Sequence, residues 1–246
     1  IFIVSEGYLW NRIANILCRK AQEGLEIRFL MDDFGGLKLS HAQRKRLIRC
    51  GVKLRTFNPI LRHVSNLYLN YRNHQKIVSI DGVIGYTGGV NVADEYVNLN
   101  RKHGHWKDTA VRVSGEGVWS LTLAFLQMWS LDDRKAPRID LTWKAKAEDL
   151  ARTEAEPAIT KGAVSTGTPS QQGWYLPFTD GPSNNPHNPA KGVCQQMIES
   201  AGQYVWITSP YLILEEDMLD SLCRAAESGV DVRIITPSVQ IGRAHV

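Results

Sequence analysis

An internal repeat constrains this chain more than any other feature. "LCRKAQEGLEIRFL" (residues 17–30) aligns without gaps on "LCRAAESGVDVRII" (residues 222–235). Leu, Cys, Arg, Ala, Gly and Arg recur at matching places, and the strand positions are filled by matched apolar residues. The upstream segments "IFIVS" and "VWITS" align with a one-residue slip. Any two helix–Gly–strand units look partly alike, because glycine ends helices and alternating β-branched residues make strands. The shared order strand, helix, Gly, strand points instead to duplication. Such a chain makes two related α/β lobes, and 246 residues are enough for both to have a core.

The first copy continues as alternating units. "IFIV" reads as a buried strand. Trp10, Ile13, Ala14, Leu17 and Ala21 follow helical spacing up to Gly24, and "LEIRFLM" is the next strand. A helix carrying Arg44, Lys45, Arg46 and Arg49 ends at Gly51 before the strand "VKLRTF". Its basic run reads as a solvated face, with anionic lipid head groups as an added partner. This alternation predicts a mixed, largely parallel sheet flanked by helices. Residues 77–80 and 83–87 flank Asp81-Gly82, a two-residue hairpin signal. Asn91 is placed to cap a short helix, with Asp94 at the capping-box position. "DTAVRVSG" is a strand, and Val118, Leu121, Phe125 and Met128 mark the core face of a helix reaching about Leu131.

Periodicity fades over residues 137–172, which read as a linker or long connection. Order returns in a helix, the strand "YVWITS", a second helix and the strand "VDVRIITP". The expected organisation is a first lobe over 1–136, the connection, the start of a second lobe over 173–240, and a tail over 241–246. That tail matches the translation of a common sequencing adapter and is expected to be non-native. The repeat also predicts at least one helix ahead of Ile1, and a counterpart of His74 near position 279, past the last residue.

Composition narrows the chemistry little. Net charge is +4, mildly basic, which suits a phosphate-bearing partner without requiring one. Cys18, Cys50, Cys194 and Cys223 form no C-x-x-C pair, which argues against zinc. Reduced thiols, mostly buried, in a reducing compartment are the expectation. No apolar run is long enough to cross a bilayer.

The chemistry concentrates in "NHQKIVSIDGVIGYTGGVN" (residues 73–91). His74 and Lys76, two apart, share one side of an extended segment. Carrying an ammonium to the edge of a core needs a counter-charge, and an anionic ligand would supply one. Gly88 and Gly89 allow close backbone approach, and a helix starting near Asn91 would offer free amides to a phosphate. Asp81 serves the turn, the chemistry, or both. His103 and His105 read as loop residues in preference to a metal pair, since no third ligand accompanies them.

His74-x-Lys76-x4-Asp81-x6-Gly88-Gly89-x-Asn91 resembles the signature of the phospholipase D superfamily. The stretches "TGGVNVADEY", "HGHWKDTAVRVSGEGVWSLTLAFLQMW" and "ITSPYLILEEDMLDSLCRAAESGVDVRIITP" extend the resemblance to bacterial cardiolipin synthases. The resemblance implies phospholipase D-like lobes and a phosphatidyltransferase that joins two phosphatidylglycerol molecules through a phosphatidyl-histidine intermediate. It assigns His74 as nucleophile or acid/base partner, Lys76 to the phosphate oxygens, and Asp81 to bracing the site. Gly88, Gly89 and Asn91 become phosphate contacts, and Trp106 and Asp108 substrate-side residues. It implies neither metal nor cofactor, no nucleic acid, and a place on the bacterial cytoplasmic membrane with the lobes facing the cytoplasm. The family carries a second H-x-K-x4-D motif. Neither His63 nor His187 is followed by x-Lys, so the chain is expected to be an inactive piece needing an intact second lobe in cis or a homodimer in trans. Two alternatives remain open: a single-motif phosphodiesterase acting on DNA as a homodimer, and a non-catalytic binder of anionic lipid.

Overall fold

The computed structural model describes residues 1–60, 71–101, 104–131, 142–153, 175–181 and 188–237. The tail over 241–246, His63, His103 and His187 lie outside them. The chain divides into two compact units, Ile1–Phe178 and Thr179–Val246.

Three helices end in the same way. Helices α1 (Tyr8–Gln22), α2 (His41–Arg49) and α6 (Glu216–Glu227) are followed by Gly24, Gly51 and Gly229, with φ of 93°, 98° and 90°. Each glycine amide donates to the carbonyl three residues back. The next amide (Leu25, Val52, Val230) donates to the carbonyl five back (Lys20, Leu47, Ala225). This is the Schellman stop, whose left-handed residue is free of Cβ strain only in glycine. It turns α1 into β1 (Arg28–Asp32) and α2 into β2 (Lys53–Phe57), which pair in parallel with Leu30 opposite Arg55. "IFIV" lies alongside, but forms only an isolated parallel bridge, Val4 to Val92. Its amides go elsewhere: Ile3 donates to the Asn91 Oδ1 and Val4 to the Gly35 carbonyl.

Trp10, Ala14 and Cys18 of α1 bury their side chains with Met31, Leu39, Leu47, Val52 and Val92. Against the expectation of reduced thiols, Cys18 and Cys50 are joined as a disulfide, with Cα atoms 5.0 Å apart. Cys50 is the C-cap of α2, and the packing of α2 on α1 brings it to Cys18, a juxtaposition that sequence spacing does not reveal. Cys194 and Cys223 are free but exposed. The basic run on α2 is not wholly solvated either. Arg44 turns inward, donating to the Gly36 carbonyl at 2.8 Å and pairing with Asp33 at 3.6 Å.

Strands β3 (Ile77–Ile80), β4 (Ile84–Gly88) and β5 (Ala110–Ser114) form an antiparallel sheet. Pairing in the first unit is therefore mixed. Asp81 (φ 54°) and Gly82 (φ 71°) make the tight turn, closed by the Val83 amide on the Ile80 carbonyl. Ile80 pairs with Ile84, however, so Val83 belongs to the loop and the hairpin is one residue longer than the two-residue form expected. Helix α3 (Val118–Ser130) packs on this sheet. Thr122 Oγ1 lies 2.7 Å from Ser79 Oγ, and a Cβ on Gly85 would stand 2.9 Å from Leu121.

Helix α4 (Thr142–Thr153) occupies part of the stretch read as a connection. "TWKAKAEDLART" has few apolar residues to reveal a period, but Ala, Lys, Glu and Leu are strong helix formers. Lys144 and Glu148 pair one turn apart at 3.6 Å, and the buried Ala147 lies against Gly82. The helix expected after Asn91 is a single 3-10 turn, Asp94–Val97. Asn91 does not cap it. Instead the Asp94 carboxylate reaches across the fold and accepts the amides of Tyr8 and Leu9 at the start of α1.

The second unit contains α5 (Pro189–Glu199), β6 (Tyr204–Thr208), α6 and β7 (Asp231–Ile235), with β6 and β7 parallel. Its core is small: Ile198, Leu222 and Ala225, with Val205, Ile207 and Val232 against them. Among the described residues no helix is long and apolar enough to cross a membrane.

Candidate active site

Asp32, the last residue of β1, organises the approach to the motif. It is fully buried. Its Oδ1 accepts the amides of Phe34 and Gly35, its Oδ2 accepts the Asn73 amide at 2.9 Å, and Arg72 stands 3.5 Å away. Burial pushes the carboxyl up, while the Asn73 and Gly35 amides, the Arg72 charge and the Phe34 amide pull it down. Asn73 is itself buried, and its Oδ1 accepts the Gln75 amide. That local turn holds the backbone on either side of His74. Sequence reading missed Asp32. The available signal was an acidic pair directly after an apolar strand, where open α/β sheets gather ligands.

His74 and Lys76 meet. The Lys76 Nζ lies 3.2 Å from His74 Nδ1 and donates to the His74 carbonyl at 2.5 Å. The imidazole packs against Phe2 with the rings tilted by 37° and centroids 4.1 Å apart, and Lys76 Nζ sits 5.8 Å from the same ring. His74 keeps part of its surface in solvent, but this one-sided desolvation is the main reason its pKa falls to about 4. The Lys76 charge adds to the effect. Desolvation likewise lowers Lys76 to about 8, opposed by the Asp108 carboxylate. A charged ammonium only donates, so Nδ1 accepts and the neutral ring carries its proton on Nε2.

Asp108 and Trp106 come to this side of the sheet. Trp106 Nε1 donates to Asp108 Oδ2 at 3.2 Å. Asn98, in the left-handed region, clamps the Trp106 backbone through both its side-chain oxygen and nitrogen, and Trp106 packs on Tyr96 at 4.7 Å. The two glycines make room for this neighbour. A Cβ on Gly89 would collide with the Asp108 carboxylate, and one on Gly88 with the Thr109 carbonyl and Ala110. Asn91 is buried, its Nδ2 donating to the Tyr96 hydroxyl.

Asp81 is not brought to the pair. It sits exposed in the turn, five residues from Lys76. Along an extended strand that is about 16 Å. The 3-10 turn after Asn91 is four residues long and opens on Asp94 and Glu95, so it presents no cationic helix end to a phosphate. Among the described residues no group of three or more His, Cys, Asp or Glu side chains is arranged to hold a metal.

The sequence profile of the family "Cardiolipin synthase, PLD-like domain" matches residues 194–244. An uncharacterized protein of Streptococcus mutans is 39% identical over 97% of this chain and 47% of its own length. Cardiolipin synthases of Oceanobacillus iheyensis (38% identical) and Alkalihalophilus pseudofirmus (37%) match over 96% of this chain and 45% and 43% of theirs. The chain thus spans about half the length of the curated relatives it matches. The crystal structure of phosphatidylserine synthase from Haemophilus influenzae superposes with a TM-score of 0.59 at 15% identity, over 96% of this chain and 55% of that one.

The fold is that of phosphatidylserine synthase, and residues 194–244 are similar to the PLD-like domain of cardiolipin synthases. In sequence the chain resembles the bacterial cardiolipin synthases over nearly its whole length.

Proposed function

We propose that this chain is the first catalytic half of a phosphatidyltransferase that makes cardiolipin from two phosphatidylglycerol molecules. The observation that carries the proposal is the His74–Lys76 pair, 3.2 Å apart, with the imidazole held neutral at pH 7. A neutral imidazole is a nucleophile, and a charged lysine binds phosphate oxygens. At rest Lys76 occupies Nδ1, which leaves the proton on Nε2. An arriving phosphodiester draws the ammonium to its oxygens, and the ring proton moves to Nδ1. Nε2 then attacks phosphorus. The P–O bond to the donor's free glycerol breaks, and that oxygen takes a proton from an acid. The hydroxyl of a second phosphatidylglycerol next attacks the phosphatidyl-histidine, giving its proton to a base as the P–N bond breaks and His74 is restored.

The acid and base are the work of a second histidine, which we assign to the remaining length that the relatives have. On this reading the present chain turns over no natural substrate alone, and acts at a membrane surface. Asp81 supports the site through its turn, and Trp106 and Asp108 line the substrate side.

The test uses the complete reading frame with labelled phosphatidylglycerol, quenched under conditions that preserve phosphoramidates. Cardiolipin should form, and a phosphatidyl adduct should map to the peptide containing His74. His74→Ala should abolish both. An adduct on another residue, or a homodimeric chain that cleaves DNA and spares the lipid, would replace this assignment.

A further inference from the structure

The turn after β1 carries two large, mostly exposed apolar side chains, and the Arg72 guanidinium lies 5.7 Å from the ring of one of them, Phe34. Phe34 is 55% exposed and Leu37 62%. The Leu37 amide donates to the Phe34 carbonyl, closing a turn that brings their Cα atoms within about 7 Å of each other. The backbone beneath is rigid. Asp32 Oδ1 takes the Phe34 and Gly35 amides, and Arg44 takes the Gly36 and Leu39 carbonyls. The turn is also coupled to the site, because the other oxygen of Asp32 holds the Asn73 amide, next to His74.

The sequence that follows is one-sidedly basic, although the Glu6 carboxylate, from ahead of α1, reaches the Ser40 amide beside it. From Phe34 to Ile80 the sequence has ten Lys and Arg and no Asp or Glu, leaving 19 Lys and Arg against 25 Asp and Glu in the rest of the chain. Next to the turn, Lys38 is exposed, and Lys45, Ile48 and Arg49 lie on an exposed stripe of α2. Exposed apolar residues on a pinned turn, followed by a run of cations whose nearest acids, Asp32 and Asp33, are turned into the fold, match the two forces that hold a protein on an anionic bilayer. Apolar side chains enter the head-group boundary, and each Lys or Arg near the surface adds Coulomb attraction.

We infer that the Phe34–Leu37 turn, with Lys38 next to it and Lys45 and Arg49 exposed on the helix that follows, is an interfacial anchor that seats the His74–Lys76 site on an anionic lipid surface. The inference rests on the lipid-transfer reading for its partner. It is tested by sedimentation with vesicles of phosphatidylglycerol and phosphatidylcholine in equal parts, and with phosphatidylcholine alone. The proteins compared are the wild-type chain, Phe34→Ser/Leu37→Ser and Lys45→Glu/Arg49→Glu, each checked by thermal melting.

Wild type should prefer the anionic vesicles and lose affinity as salt rises. The apolar double variant should bind about tenfold more weakly at an unchanged melting temperature. The charge-reversal variant should bind comparably weakly and lose its salt dependence. Equal binding by all three proteins would overturn the anchor. So would protection of residues 33–39 from hydrogen exchange in the complete protein without vesicles, since another part of the protein would then cover the turn. A water-soluble short-chain phosphatidylglycerol, assayed with the complete protein below its critical micelle concentration, separates the two readings. The apolar variant should turn it over like wild type. If neither protein turns it over, the enzymatic reading fails, and the vesicle result still decides the anchor.

Discussion

At the scale of single residues, the site couples a neutral imidazole to a cation with a lowered pKa. His74, at about 4, is unprotonated at pH 7, while Lys76, at about 8, remains mostly charged. In the complete protein kcat/KM should therefore decline above about pH 8 as Lys76 loses its proton. Lys76→Arg keeps its charge at any accessible pH. Even if activity falls overall, its alkaline limb should vanish, and an unchanged limb would remove Lys76 from the titration. Stability carries the opposite cost. Both folded pKa values lie below the unfolded ones, so the unfolded chain binds more protons from pH 6.5 down to about 4 (His74) and from 10.5 down to about 8 (Lys76). His74→Ala should thus flatten the fall in melting temperature between pH 6.5 and 4, as read by melting curves across that range. Gly88 makes a different demand. Gly88→Ala forces a methyl into the Thr109 carbonyl and Ala110, and should destabilise by about 1–3 kcal/mol in denaturant unfolding. The pair itself was legible, because a spacing of two fixes a shared side in an extended segment. Phe2 and Asp32 were not, since each meets the motif only through folding contacts across some 40 to 70 residues of chain.

At the scale of elements, the helix stops were legible, because a glycine followed at once by a β-branched or apolar run dictates the Schellman geometry locally. What holds those elements to one another was not. The Asp94 carboxylate reads locally as a capping-box acid, yet it caps α1 more than 80 residues upstream. Removing it leaves two amides of the α1 first turn without acceptors. Asp94→Ala should therefore cost about 1–2 kcal/mol, and Asp94→Asn, which can still accept, should recover part of the loss. The Cys18–Cys50 bridge is equally invisible along the chain. It closes a separation of 32 residues, for which restriction of the unfolded chain is worth about 3–4 kcal/mol. Reduction, or Cys18→Ser with Cys50→Ser, should lower the melting temperature. Alkylation before and after reductant should find two reactive thiols, Cys194 and Cys223, rising to four. Four reactive thiols without reductant would restore the reduced state expected from the sequence. Helix α4 shows the converse failure, a segment whose propensity is strong and whose apolar period is too sparse to see.

At the scale of the whole molecule, the internal repeat was the most informative line in the sequence. Gly24 and Gly229, aligned in the repeat, share a φ within a few degrees, and both helices feed parallel strands. The matched elements have also diverged: Cys18 is bridged in the core, while its counterpart Cys223 is exposed and free. That His74 acts with a proton donor outside this chain is a proposal that can be tested on this chain alone. Attack by His74 on a natural phosphodiester expels an alkoxide, which is too basic to leave without a proton donor. A nitrophenyl ester of phosphatidic acid expels a phenolate that needs none. If the donor lies in a second lobe, the 246-residue chain should form a phosphatidyl adduct at His74 from the nitrophenyl ester and none from phosphatidylglycerol. Mass spectrometry of the peptide containing His74 reads both cases, and one equivalent of nitrophenol should accompany the adduct. Adducts from both substrates would place a proton donor within this chain, and the division of labour between two lobes would have to be abandoned.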